Sequence, residues 1–365
     1  MVALARDIHP ALHAARPLRL ALLGTGTVGR AVLDRLQRLD DDIGAAWQLV
    51  HVANSRRSAS LASGIDPRQV RRLLEDGGEP ATLSQVVPAL HGDGPRIVID
   101  ATASVDVAAQ HAHWLRQGIH VVSACKLAQG GSLADWQRLR QAQAQGRTLY
   151  GDSATVGAGL PLLRTIRALR EGGDRIHALA GILSGSLAWL FDRYDGAVPF
   201  SQCVREARRA GYTEPDPRED LSGTDVRRKL LILARSAGVE LEPSDVPVQS
   251  LLPTTLADCA ADDVEPALRE LDAPMRARHV QARARGAVLR HVARLDHDGR
   301  ARVSLEELPT DHPLAQGGGT DNKVAIWSDR YHERPLLIQG PGAGAGITAA
   351  ALIDDVLRIQ SLAAA

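Results

Sequence analysis

The chain has 365 residues, 44% of them hydrophobic, which is enough to fill the cores of two domains; with only 3% aromatics, aliphatic side chains and alanine must do the filling. Its 43 basic and 43 acidic residues cancel, which argues against a nucleic-acid or anionic-membrane partner. Three widely spaced cysteines, Cys125, Cys203 and Cys259, form no CxxC pair and no Cys/His cluster, so reduced thiols in a cytoplasmic protein are expected rather than a disulfide framework or a zinc site.

Met1 to Pro17 carries several charges and no long apolar run, so it reads as an extension before the first strand and not as a secretory signal. No uncharged apolar stretch reaches the length of a membrane span. Leu18 to Leu23 is a short apolar run that ends in Gly24-Thr-Gly-Thr-Val-Gly29, and a helical pattern follows with Val28, Val32, Leu33, Leu36 and Leu39. Trp47 to Ala53, Arg96 to Asp100 and Ile119 to Ser123 read as further strands, the last two separated by a helix from about Val107 to Gln117. The alternation predicts an α/β fold with a Rossmann-type parallel sheet. Leu61 to Leu90 is more polar and reads as a surface excursion.

Past about Thr148 the character changes. A Gly-rich turn, Val156 to Pro161, leads into a helix over Leu162 to Leu169; a strand over Ile176 to Ile182 and helices to about His291 follow. Val292 to Leu305 suits a hairpin turning at Asp298-Gly299. Leu336 to Gln339 then runs into Gly340-Pro-Gly-Ala-Gly-Ala-Gly346 and a last helix from Thr348. We expect a dinucleotide-binding domain over 1–150 completed by 336–365, and an α+β substrate-binding and dimerisation domain over 151–335.

Gly24, Gly26 and Gly29 sit where a strand meets a helix. Such glycines permit a tight turn and let the N–H groups of the helix start, with Thr27 and Val28, reach a pyrophosphate; the other reading is the Gly-rich turn of an unrelated α/β protein. NAD sites usually carry an acidic residue at the end of the second strand. Here the place reads Ala53-Asn-Ser-Arg-Arg57, with no carboxylate, and Arg56 and Arg57 suit the 2′-phosphate of NADP(H), although NAD(H) stays possible and both arginines also read as solvated loop residues.

Only three basic residues are lysine: Lys126, Lys229 and Lys323. Arginine does not give up its proton near neutrality and lysine can be tuned to, so lysine is retained either where arginine fails or by chance. Lys229 closes the segment from Gly211 to Lys229, GYTEPDPREDLSGTDVRRK. Pro215 and Pro217 push Glu214 and Asp216 into extended backbone. Ser222 to Asp225 has the spacing of a capping box, and Asp225 and Lys229 share one helical face. On spacing alone an N-cap, a surface ion pair and an acidic loop explain the segment.

That segment closely resembles the signature of homoserine dehydrogenases. The resemblance extends to ATVGAGLP (154–161), GILSGSL (181–187) and KLLILAR (229–235), and with the two Gly-rich loops it covers nearly the whole chain in order. It is nearest to the dehydrogenase part of bifunctional aspartokinase–homoserine dehydrogenases. With no room for a kinase, the chain looks monofunctional.

The resemblance implies an NADPH-dependent, reversible reduction of L-aspartate 4-semialdehyde to L-homoserine in threonine and methionine biosynthesis, by a cytoplasmic homodimer. It makes Lys229 the acid/base catalyst and Lys126 its partner near the nicotinamide. Glu214, Asp225 and Asp220 become substrate-binding carboxylates. Thr102, Ala103, Gly211 and Gly344 become cofactor contacts. Backbone carbonyls of Ser153, Val156, Ala158 and Leu160 become a site for a monovalent cation, Na+ or K+. A lysine base needs its pKa of about 10.4 lowered, by a second cation and partial burial, while Asp225 opposes that shift. Lys323 receives no role and is expected at the surface. Two positions depart from the family pattern: Cys125 stands where relatives have asparagine, and Ser153 where they tend to have glutamate. An aspartate-semialdehyde dehydrogenase would need an activated cysteine, for which only Cys125 is available, and a catalytically dead dinucleotide-binding regulator is the other rival.

Overall fold

A computed structural model describes residues 17–43, 47–316 and 318–364; the expected N-terminal extension lies outside the described residues but for Pro17. The chain forms two units. The first runs to Ala128, resumes over Ala134–Gly159 and takes in the chain from Gly344; the second comprises Gln129–Leu133 and Leu160–Ala343.

In the first unit β1 (Leu18–Leu23), α1 (Thr27–Ile43), β2 (Trp47–Ala53), β3 (Arg57–Ser60), α2 (Val70–Asp76), β4 (Glu79–Pro80), α3 (Val86–Ala89), β5 (Arg96–Asp100), α4 (Val105–Arg116) and β6 (His120–Ser123) follow one another. The short α5 (Leu127–Gly130) crosses the division, and α6 (Leu133–Gly146) and β7 (Tyr150–Gly151) complete the unit's sheet side. Strand order is β4-β3-β2-β1-β5-β6-β7, parallel from β2 to β7, with β3 and β4 an antiparallel edge. β1 is apolar but for Arg19 because both its faces are covered. Leu18, Leu20 and Leu22 join one core with α1; Ala21 and Leu23 join another with Trp114 and Leu115 of α4. The chain leaves β1 to pair β2 on one side and β5 on the other, so a topological switch point, where such sheets bind ligands, lies at their carboxyl ends.

The second unit contains α7 (Leu162–Glu171), β8 (Ile176–Ile182), α8 (Gly185–Arg193), α9 (Phe200–Arg209), α10 (Pro217–Leu221), α11 (Thr224–Ser236), α12 (Thr254–Asp258), α13 (Val264–Ala267), α14 (Asp272–Ala284), β9 (Ala287–Leu295), β10 (Ala301–Pro309), β11 (Asp321–Ser328) and β12 (Leu336–Pro341). Its sheet, β10-β9-β8-β11-β12, is antiparallel throughout. The last helix, α15 (Ala345–Ala364), belongs to the first unit, where Leu352, Ile353, Val356 and Ile359 join the core beside α1.

Four expectations change. The stretch 61–90 is no mere surface excursion: Ile65, Val70, Leu74, Val86 and Leu90 are buried, at spacings too irregular to show as periodicity. The helices stop at Ala284, not near His291; Gly286 (φ 66°) turns the chain, and Val288 to Val292 forms the middle of β9. The hairpin is there, turning through Asp296–Arg300, but its strands are longer than expected. Leu336 to Pro341 does not complete the first sheet: the short connection from β11 leaves room only for an antiparallel neighbour, so α15 alone returns to the first unit.

Candidate active site

At the switch point the three loop glycines differ in what demands them. Gly24 has φ 91°, and a Cβ there would lie 2.7 Å from the Ala101 carbonyl oxygen. A Cβ on Gly29 would lie 1.8 Å from the Gly24 oxygen, so the loop and α1 touch backbone to backbone. Gly26 is exposed with nothing within 4 Å of a Cβ, which leaves space for a ligand to approach the backbone at the N-terminus of α1, where Thr27 is also exposed and Val28 half-buried. The Gly24 N–H donates to the Ala53 carbonyl at 2.8 Å, which brings the loop beside the end of β2.

Beyond that end, the Asn54 side chain accepts from the N–H groups of both Arg56 and Arg57 at 2.8 Å and shapes the turn. Both arginines are exposed; Arg57 opens β3 and its guanidinium donates to the Gly78 carbonyl. Thr102 and the exposed Ala103 follow β5, and Lys126 follows β6 half-buried, after Cys125, whose thiol is buried. Gly344, exposed at φ 126°, precedes α15 and accepts from Thr348 N–H at 2.9 Å. The first unit therefore gathers Gly24, Gly26, Gly29, Thr102 and Ala103 at its switch point.

The Gly-rich turn is buried over 156–158 and comes to the surface at Gly159 and Pro161. Ser153 is tied to Asp355 of α15, with N–H to Oδ2 at 2.8 Å and Oγ to Oδ1 at 2.9 Å. Burial and the neighbouring Asp152 raise the Asp355 carboxyl above the usual carboxylate range, while its bonds from Ser153 and the nearby Arg358 oppose this. Val156 and Ala158 are buried, and Gly157 (φ 72°) and Ala158 (φ 49°) are consecutive left-handed residues, a conformation a residue with a Cβ adopts only when its surroundings insist. Leu160 falls in the second unit, and its carbonyl accepts from Leu162 N–H.

The second unit holds the segment from Gly211 to Lys229. Asp216 is extended (φ −99°, ψ 107°), as Pro217 requires, and its side chain caps α10. The expected capping box at Ser222 to Asp225 does not form. α10 ends so close to α11 that left-handed Gly223 (φ 72°) serves between them, and Ser222 Oγ accepts from Thr224 N–H instead. A Cβ on Gly223 would come within 2.9 Å of Val248.

One turn into α11, Lys229 Nζ pairs with Asp225 Oδ2 at 2.9 Å and donates to the Leu183 carbonyl at 2.7 Å, its side chain only 12% exposed. Asp220 Oδ2 accepts from Glu214 N–H at 2.8 Å, and its Oδ1 accepts from Ser186 Oγ at 2.6 Å. The Glu214 side chain remains exposed, as does Gly211 with φ 72°. The structure thus joins Glu214, Asp220 and the Leu183–Ser186 turn to one another, and Asp225 to Lys229.

One residue near this centre escaped the sequence reading because strand pairing alone brings it there. Asn322 of β11, 1% exposed, donates to the same Leu183 carbonyl, and Gly342 closes against its amide. Lys323, expected at the surface, is 5% exposed: β11 runs between β8 and β12 and is buried on both faces over 322–326, and the Lys323 ammonium donates to the carbonyls of Pro313 and Gln316. Burial and the nearby Arg290 lower its pKa below that of an ordinary lysine.

Cys125, Cys203 and Cys259 form no disulfide, no described helix is long and apolar enough to cross a membrane, and no metal-holding cluster of His, Cys, Asp and Glu occurs among the described residues.

Comparison with known proteins matches residues 24–151 to the family described as homoserine dehydrogenase, NAD binding domain, and residues 161–357 to homoserine dehydrogenase. The chloroplastic bifunctional aspartokinase/homoserine dehydrogenase 2 of Zea mays is 41% identical over 353 residues, which is 94% of this chain but 38% of the maize protein; the chain thus spans about two fifths of that relative. The homoserine dehydrogenase of Saccharomyces cerevisiae is 34% identical over 94% of this chain and 98% of its own length. A solved Candida auris protein of unknown function superposes with a TM-score of 0.89 at 32% identity, covering 95% of this chain and 99% of that one. The chain belongs to the homoserine dehydrogenase family of oxidoreductases.

Proposed function

We propose that this protein reversibly reduces L-aspartate 4-semialdehyde to L-homoserine with NADPH, as a step of threonine and methionine biosynthesis. The observation that carries the reading is Lys229: a lysine in an arginine-rich chain, mostly buried, its ammonium aimed by Asp225 and the Leu183 carbonyl. The dinucleotide supplies the hydride. In the reducing direction Lys229 gives an N–H proton to the oxygen formed from the aldehyde; in the oxidising direction it takes the hydroxyl proton back. Asp225 holds the lysine in place, Glu214 receives the substrate ammonium, and Asp220 contributes to the same pocket while fixing the Glu214 backbone. Lys126 assists at the nicotinamide.

The open approach to Gly26 and the amides opening α1 suit the pyrophosphate, with Thr27, Val28, Thr102, Ala103, Gly211 and Gly344 as further contacts. Exposed Arg56, supported by Arg57, suits a 2′-phosphate, which favours NADP(H) over NAD(H). A monovalent cation, Na+ or K+, suits the carbonyls of Ser153, Val156, Ala158 and Leu160, since the side chains of Asp152 and Asp355 are buried beside Ser153. On the same reading the protein is a cytoplasmic homodimer.

The test is reduced-nicotinamide formation from L-homoserine with NADP and NAD in parallel. Turnover that prefers NADP, and falls by about 10²-fold or more in a folded Lys229→Ala variant, is expected. Cofactor binding without any homoserine turnover would instead mark a regulator.

A further inference from the structure

Asp100, the last residue of β5, is fully buried beneath the switch point and is saturated with donors. Its Oδ1 accepts from Thr102 N–H at 2.9 Å and Thr102 Oγ1 at 2.7 Å; its Oδ2 faces Ser123 Oγ at 3.2 Å and His111 Nε2 at 3.0 Å. Proton directions follow from the neighbours. Thr102 Oγ1 already accepts from Ser104 N–H, and Ser123 Oγ from Cys125 N–H, so each hydroxyl has its own proton to give to the carboxylate. His111 then donates through Nε2, which leaves Nδ1 to accept from the Tyr150 hydroxyl at 3.0 Å. Burial and the Asp100 charge push the Tyr150 phenol well above its ordinary pKa, so it stays a donor.

Four partners occupy the four acceptor sites of a carboxylate, so Asp100 has none left for a ligand. What it controls is the shape of two turns. One, Ala101 to Ser104, ends β5 and forms the wall that Gly24 touches; Ser104 goes on to cap α4 through Val107 N–H. The other, Ser123 to Cys125, ends β6 and leads directly into Lys126. Both turns carry residues assigned above to the cofactor.

We propose that Asp100 is a positioning residue of the dinucleotide site, which sets the Thr102 and Cys125–Lys126 turns at their working separation, with His111 and Tyr150 fixing the carboxylate from behind. The inference rests on the dinucleotide reading given under Proposed function. A purely structural polar cluster would cost stability when broken and leave the affinity of the folded protein alone.

The experiment titrates wild type, Asp100→Asn and Ser123→Ala with NADPH and with NADH, following nicotinamide fluorescence, and records the thermal midpoint of each. Asp100→Asn keeps the shape but places an N–H₂ among donors, and should raise the dinucleotide Kd about tenfold or more; Ser123→Ala, which removes one bond to Asp100 and the tie to Cys125, should raise it by a smaller factor. If Asp100→Asn fails to fold, Ser123→Ala carries the test. A lowered midpoint with Kd within twofold of wild type overturns the inference alone. Wild-type protein that takes up neither dinucleotide overturns it together with the reading beneath it.

Discussion

Replacing Gly29 by alanine probes the dinucleotide loop most directly. The added Cβ would sit 1.8 Å from the Gly24 oxygen, where real Cβ contacts essentially never fall below 3.0 Å, so roughly 1.2 Å of separation must be found. Gly24 has little room to yield, because its N–H is bonded to Ala53 at 2.8 Å and Ala101 stands close against it. The strain therefore passes to residues 25–28, whose N–H groups the proposed dinucleotide reading assigns to the pyrophosphate. A hydrogen bond near 2.9 Å that lengthens by about 1 Å is lost. Losing two charge-assisted bonds at about 1.5–3 kcal/mol each weakens binding by at least about 3 kcal/mol, or 10²-fold in Kd. Isothermal titration with NADPH measures this, and circular dichroism confirms the fold. Gly26→Ala is the control: with nothing within 4 Å, its methyl group should lower affinity by occupying ligand space while leaving thermal stability untouched. A Gly29→Ala protein that binds NADPH with wild-type affinity would refute the assignment of this loop as the pyrophosphate cradle.

Other perturbations reach other parts of the molecule. His51 and His291 are buried, and burial lowers both from 6.5 to about 4; since the folded pKa is depressed, their stabilisation is present above pH 6.5 and is lost as pH falls towards 4. By linkage each costs about 2 kcal/mol at pH 5, so His291→Leu should flatten the difference between urea denaturation at pH 7 and pH 5, and an unchanged difference would count against the argument. Arg235, 2% exposed, donates to the carbonyls of Gln129, Gly131 and Leu241; Arg235→Met should destabilise by about 3 kcal/mol or more, seen as a lower denaturation midpoint. Lys323→Met should lower the thermal midpoint, because two carbonyls lose their donor, yet leave the homoserine KM unchanged; a changed KM would give Lys323 a place in the chemistry.

The parts of this protein that announce themselves in sequence are those whose partners lie close along the chain. The Gly24–Gly29 loop, the Asp225–Lys229 pair one helical turn apart and the uninterrupted strand Ile176–Ile182 all obey local rules of turn, helix and burial. The capping box was a local rule too, and it failed because α10 occupies the space before α11, a fact that spacing alone does not carry. Longer separations defeat pattern reading altogether. Asp100 meets His111 and Ser123, and through His111 reaches Tyr150, across three further elements; Lys323 looks like a solvated cation until strand order turns it inward; and Leu336–Pro341 has the composition of a strand for either sheet until the short link from β11 decides.

The placement of α15 also bears on how the protein comes into being. Leu352, Ile353, Val356 and Ile359 pack with residues of β1 and α1, so the first unit's core lacks one of its walls until α15 has been synthesised. The second unit, encoded but for Gln129–Leu133 in one stretch from Leu160 to Ala343, is complete before that helix emerges from the ribosome. The half of the protein made first is therefore the half finished last, its core open beside α1 until α15 arrives.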